Sequence, residues 1–290
     1  MKHFYWLAVL GFGIWFLGRQ LTSLIDSEVY IVFCNVGQGD ATLISRGRVQ
    51  ILVDGGPNGK VLACLSRYMP QLDRQIELVI NTHPEQDHIG GLPAVLRRFR
   101  VGAYVTGAVA GSNQAFTETK REIESGNIPV WVPQVGDVLR LGGLTLEILW
   151  PDEQPGRPGK YASLGSFSSQ EGGLNKLSVV SVLRYGSFSL LLTGDIEAKQ
   201  EIALSVGQVL TPVTVLKVAH HGSKTSTTSE FLALVKPQLA VVEVGQNNRY
   251  GHPNLDTLMH LETVGAKILR TDVEGDIRLK TDGINFWRIK

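Results

Sequence analysis

The stretch INTHPEQDHIGG, residues 80–91, decides how this 290-residue chain is read. It leaves IELVINT, an apolar run that reads as a buried strand, and enters IGGLPAVLRRF, which reads as a helix. His83, Glu85, Asp87 and His88 fall within six positions of the connecting loop. A short loop leaving a strand can aim imidazole and carboxylate inward together, and mixed nitrogen and oxygen donors suit Zn²⁺ or Mn²⁺. Gly90 and Gly91 let the following helix begin close to such a site. The bland alternative, an acidic surface loop with two satisfied histidines, fits a lone His better than this cluster.

Three further loops follow apolar strands. In SFSLLLTGDIEA, Asp195 is an N-cap for the next helix, a metal ligand, or both. In LKVAHHGSKTS, His220 and His221 are adjacent and, if extended, point to opposite sides, so only one need face a metal. His220, nearer the strand end, is the favoured ligand. Ser223, Lys224, Thr225 and Ser226 suit phosphate oxygens, although a capping loop has the same composition. In NNRYGHP, Arg249 and His252 contact substrate or complete a metal shell, unless they only build a Gly-Pro turn.

Elsewhere short strands and hairpins alternate with helices, which predicts an α/β protein with two sheets between helical layers. The Gly-, Ser- and Pro-rich stretch 151–173 reads as a long loop. The uncharged run Phe4–Leu17 reads as a signal h-region or, extended to residue 25, an uncleaved membrane anchor, with a buried helix as the weaker alternative. Residues 28–290 form the body, and the flanking charges weakly place it outside the cytoplasm. A net charge of +1 excludes a uniformly basic nucleic-acid glue, and 43% hydrophobic residues exclude a disordered chain. Only one long apolar run is present, which excludes a polytopic membrane protein. Cys34 and Cys64 both lie among apolar neighbours and read as buried small hydrophobes, with a single disulfide as the alternative.

H-x-x-x-D-H, T-G-D and a later His, each after a strand, resemble the metallo-β-lactamase superfamily over the whole body. NVGQGDATLI, ILVDGG, VAHHGS and NNRYGHP narrow this: they resemble the hydrolase domain of ComEC-type DNA-uptake competence proteins, with Asn35 where that family usually has Asp. The resemblance implies an αββα sandwich with metal at one edge and phosphodiesterase or nuclease activity on DNA or another phosphodiester, carried here as a hydrolase domain on its own anchor. It carries His83, Asp87, His88 and Asp195 over as metal ligands, with one of His220 and His221.

Two departures weaken the first of the two metal positions. Glu85 stands where the superfamily has a second His, and no His lies between His88 and His220, so Asn175 takes roughly that place. Oxygen-rich ligation favours Mn²⁺ or Mg²⁺ over Zn²⁺, and one ion is as compatible as two. Asp87, His221, His252 and Lys224 are then the catalytic candidates. His221, His252 and Lys224 would offset phosphoryl charge, and His221 or His252 would protonate the leaving oxygen. Asp40 and Asp54 read as braces for the ligand loop. Arg97, Arg98 and Arg100 read as a nucleic-acid track or a solvated face. Rival readings are a phosphocholine-esterase-like enzyme with an aromatic cage from Trp131, Trp150 and Tyr161, and a non-catalytic, membrane-tethered module that binds DNA or a partner.

Overall fold

In a computed structural model, residues 28–107, 110–151 and 173–290 are described. The N-terminal signal or anchor and nearly all of the 151–173 loop, with Tyr161, lie outside them. The first half of the chain supplies Val29–Phe33 (β1), Thr42–Arg46 (β2), Val49–Val53 (β3), Gln75–Asn81 (β4), Arg100–Thr106 (β5) and Val130–Trp131 (β6). Between them lie helices Val61–Tyr68 (α1), Gln86–Ile89 (α2), Leu92–Arg98 (α3) and Gln114–Ser125 (α4). The second half supplies Val138–Leu141 (β7), Leu144–Trp150 (β8), Val180–Tyr185 (β9), Phe188–Leu192 (β10), Val215–Lys217 (β11), Leu239–Val242 (β12) and Lys267–Arg270 (β13). Its helices are Ala198–Val206 (α5), Ser229–Val235 (α6), Leu255–Thr263 (α7) and Thr271–Glu274 (α8), and Ile277–Thr281 (β14) and Phe286–Ile289 (β15) end the chain.

One sheet runs β15-β14-β1-β2-β3-β4-β5-β6 and the other β13-β12-β11-β10-β9-β8-β7. Alternation along each strand sorts side chains between two layers. Val29, Ile31 and Phe33 face the other sheet, where Leu190, Leu192, Leu239 and Val241 meet them. Val32, Leu43, Leu52 and Val79 face outward onto Val61, Leu65, Leu92 and Val95 of α1 and α3. Leu191, Ala240 and Val242 face outward onto Leu204, Phe231, Leu232 and Leu261 of α5, α6 and α7. Each fully buried Leu, Ile or Phe contributes ~1.5–3 kcal/mol, so three apolar layers hold the four-layer αββα sandwich together.

Sheet direction sets where the chemistry sits. β3, β4 and β5 are parallel, as are β10, β11 and β12. Parallel neighbours deliver their C-terminal loops to one edge of a sheet. The loops after β3, β4, β10, β11 and β12 carry Asp54, His83–His88, Asp195, His220–His221 and Arg249–His252 respectively.

Three expectations need correcting. Cys34 and Cys64 are buried, but they are joined in a disulfide with Cα atoms 6.0 Å apart, tying the end of β1 to α1. Trp131 packs in the inter-sheet core, and the Trp150 indole N–H donates to the Lys176 carbonyl at 2.8 Å, so neither is free to wall an aromatic cage. Of the basic run, Arg97 pairs with Glu118 and Glu122 of α4 at the surface, in keeping with the solvated-face reading. Among the described residues no helix is long and apolar enough to cross a membrane.

Candidate metal centre

One buried group gathers donors from three loops. Asp87, His88, Asp195 and His221 each offer an atom, all within 4.8 Å of one another. His88 Nε2 lies 3.3 Å from Asp195 Oδ2, and His221 Nε2 lies 3.2 Å from Asp87 Oδ2 and 3.5 Å from Asp195 Oδ2. Two imidazole nitrogens and two carboxylates make a donor set that suits Zn²⁺ or Mn²⁺. His88 Nε2 and Asp195 Oδ1 are buried without a hydrogen-bond partner, an expense a protein bears where something else satisfies them. The residues fit a divalent cation.

Hydrogen bonds behind the group aim both histidines. His88 Nδ1 sits 2.8 Å from Asp54 Oδ2. Asp54 is itself held by the Thr82 amide and hydroxyl and by Asn81 Nδ2, so this buried carboxylate cannot turn away. His221 Nδ1 donates to the Glu243 carbonyl at 2.9 Å, which leaves Nε2 facing the group. The Asp40 amide donates to the Asp87 carbonyl at 3.1 Å, bracing the ligand loop. Gly39, at φ +144°, allows this approach: a Cβ there would meet the Asp87 carbonyl oxygen at 2.2 Å.

Charge is heavily concentrated here. Burial opposes protonating His88, but Asp195, Asp54 and Asp40 overcome it and raise its pKa well above the ordinary value. Burial likewise opposes a charge on His221, yet Asp195 and Asp40 lift it to about 10. For Asp87 and Asp195 burial works against ionisation, and the two imidazoles reverse it, so both pKa values are lowered. Without a cation the carboxylates hold protons on these histidines. A cation held by these residues would take over that role, since its ligand nitrogens must be unprotonated.

Two residues of this network escaped sequence reasoning. Lys217, at the end of β11, is buried, pairs with Asp40 and lies 3.8 Å from Asp195 Oδ1. Burial alone would lower its pKa, but Asp40 and Asp195 raise it. Glu243, just past β12, accepts from the Ala41 amide and the Thr42 hydroxyl, and burial with the nearby Asp40 charge raises its pKa to about 8. The signal for both was present: Lys and Glu inside the apolar strands TVLKVA and LAVVEV are almost never fully buried unless paired.

The structure separates the other candidates. His221 joins the donor group where His220 was favoured. Both adopt left-handed backbone, φ 53° and 50°, so the strand alternation assumed for the pair does not apply. His220 Nε2 stands 3.9 Å from Asp195 Oδ2 and its ring faces the pocket. His83 is buried outside the group; Nδ1 contacts the Thr82 and Ser178 hydroxyls, Nε2 has no partner, and burial with the nearby His88 charge lowers its pKa to about 3. Glu85 lines the pocket half-buried, and burial with the Asp87 charge raises its pKa. Asn175 sits on a short 3₁₀ turn with Oδ1 buried and unpartnered. Thus His83 and Glu85 join no His, Cys, Asp or Glu donor group among the described residues. Lys224 is exposed and outside the pocket lining. Burial, with the nearby His221 and His220, lowers the pKa of His252.

Asp87 and His221 of the donor group line a pocket of about 670 Å³ together with His220, Arg249, Tyr250 and His252. This arrangement of loops has counterparts. The chain is 29% identical over 279 residues to ComE operon protein 3 of Bacillus subtilis, covering 88% of this chain and 33% of that protein. It is 30% identical over 251 residues to Recombination protein 2 of Haemophilus influenzae, covering 84% and 28% respectively. The chain therefore spans about a third of the length of the curated relatives it matches. Among solved structures, the metallo-β-lactamase fold protein YhfI from Bacillus subtilis superposes with a TM-score of 0.53 at 14% identity, over 90% of this chain and 99% of that one. Residues 34–245, which hold the β3, β4, β10 and β11 loops and with them all four donors, match the metallo-β-lactamase superfamily, and the chain belongs to it.

Proposed function

We propose that this chain is a metal-dependent phosphodiesterase acting on DNA. The observation that carries the reading is the Asp87, His88, Asp195 and His221 group, of which Asp87 and His221 line an open pocket that Arg249 also lines. A divalent cation held there supplies Lewis acidity to a phosphoryl oxygen and makes hydroxide available near neutral pH. Asp54 and the Glu243 carbonyl keep the two imidazoles in place, so no reorganisation is needed as charge develops. His220 and His252 present ring nitrogens to the pocket for non-bridging oxygens, and Arg249 adds a cation. DNA as substrate is supported by the likeness to Recombination protein 2 and to Competence protein ComA of Neisseria gonorrhoeae, 27% identical over 294 residues.

The test is hydrolysis of bis-p-nitrophenyl phosphate with added Mn²⁺, beside an Asp195→Ala control, followed by DNA. The expected result is metal-dependent turnover that falls at least ~100-fold in the control, as loss of a ligand and not merely of its support should give. No turnover from a folded chain with any divalent metal would move the reading to a binding module. The body works outside the cytoplasm in this reading, because the Cys34–Cys64 disulfide persists in oxidising compartments. Alkylation of the native protein should find no free thiol; two reactive thiols would contradict that placement.

A further inference from the structure

The outer wall of the pocket is a built feature that metal chemistry alone does not require. Asn248 staples the loop after β12 to itself with four hydrogen bonds. Its Nδ2 donates to the carbonyls of Gly245 at 3.0 Å and His252 at 2.7 Å, and its Oδ1 accepts from the amides of Tyr250 at 3.2 Å and His252 at 3.0 Å. The Tyr250 backbone is thereby fixed at the rim, and the residue is 55% exposed. The His252 ring lies against it in a stacked arrangement, centroids 5.8 Å apart and planes 15° apart. His252 in turn meets His220 edge-on at 5.8 Å, and His220 leads to His221 of the donor group. Arg249 Nη2 donates to the Tyr250 hydroxyl at 3.0 Å and its guanidinium carbon lies over the ring, 5.1 Å from the centroid, so a base stacking there would displace the guanidinium, which has no carboxylate partner among the described residues.

A ring on a backbone already fixed, and already braced by His252, loses less entropy when a base covers it. Every nucleobase has a π-face, but a duplex uses those faces internally, so a rim tyrosine can capture a base only where it is unpaired. We propose that Tyr250 is a stacking platform for an unpaired nucleobase flanking the phosphodiester held at the donor group, with Arg249 engaging a neighbouring phosphate. This rests on the reading of the pocket as a nucleic-acid phosphodiesterase site and adds what selects the strand.

The experiment is fluorescence anisotropy of the purified full chain with labelled (dT)12, with an abasic strand of equal length and charge, and with a 12-base-pair duplex, in chelator so that nothing is cut. The chain should bind (dT)12 about 5- to 150-fold more tightly than the abasic strand, which is ~1–3 kcal/mol for one stacked base. Tyr250→Ala should erase that preference and Tyr250→Trp should keep it. Arg249→Gln should weaken both single strands alike and flatten their salt dependence. The duplex should show no dependence on Tyr250. Equal binding of (dT)12 and the abasic strand, or an undiminished preference in folded Tyr250→Ala, would overturn the platform. Turnover of bis-p-nitrophenyl phosphate by the wild-type chain reports separately on the hydrolase: turnover without a strand preference defeats only the platform, and a strand preference without turnover defeats only the hydrolase.

Discussion

Two sets of candidate ligands can be compared. Asp87, His88 and His221 offer donors within 4.8 Å of Asp195; among the described residues His83 and Glu85, from the same loop as Asp87 and His88, belong to no such group. The difference lies behind the ligands. His88 and His221 each have Nδ1 spoken for, by Asp54 and by the Glu243 carbonyl, and their Nε2 atoms are aimed as a result. His83 has only two hydroxyls at Nδ1, and Asn175 rides on a short 3₁₀ turn with an unpartnered side-chain oxygen. His83 also has a held Nδ1 and a buried, unpartnered Nε2, so the contrast is one of carboxylate or carbonyl against hydroxyl behind the ring.

Lys217 tests this contrast most severely. It neutralises Asp40 beneath the converged set and lies near Asp195. Lys217→Met strips a buried carboxylate of its partner and should destabilise the fold by ~3–5 kcal/mol, read by urea denaturation; a loss under ~1 kcal/mol would show that Asp40 is compensated elsewhere. Next in size, Asp54→Asn should lower metal affinity about 10- to 100-fold by loosening His88, while Ser178→Ala, behind His83, should change it little. Equal effects from the two would erase the distinction between the sets.

The smallest effect is a proton count. His221 titrates at about 10 in the metal-free chain, so it is protonated at pH 8, and a ligand nitrogen must be bare. Metal binding at pH 8 should therefore release protons, and apparent affinity should rise with pH toward about 10. Calorimetry in buffers of different ionisation enthalpy measures the release; affinity that is flat between pH 6 and pH 9 would contradict it.

Much of the fold was legible because apolar strands alternate with helices and because the motif-bearing loops follow strands. β15 was not, since FWRI is a short, half-exposed edge strand with no alternation to mark it. The Cys34–Cys64 pairing depends on β1 meeting α1, a contact between residues 30 positions apart that local composition does not encode. The donor loops were legible from residue type. The choice of His221 over His220 was not, because it depends on two consecutive left-handed residues and on a carbonyl from β12's far end. Lys217 and Glu243 passed unnoticed inside apolar strands, where a charge is the very anomaly that marks a buried ion pair.

The most direct test of the central claim is a Mn²⁺ titration of the wild-type chain, His221→Ala, His220→Ala and His83→Ala. One strong site is expected, weakened at least ~100-fold in His221→Ala and within about threefold of wild type in the other two, ligand loss exceeding the 10- to 100-fold of a supporting residue. A strong site that survives His221→Ala and disappears with His83→Ala would place the metal at His83 instead and contradict that claim.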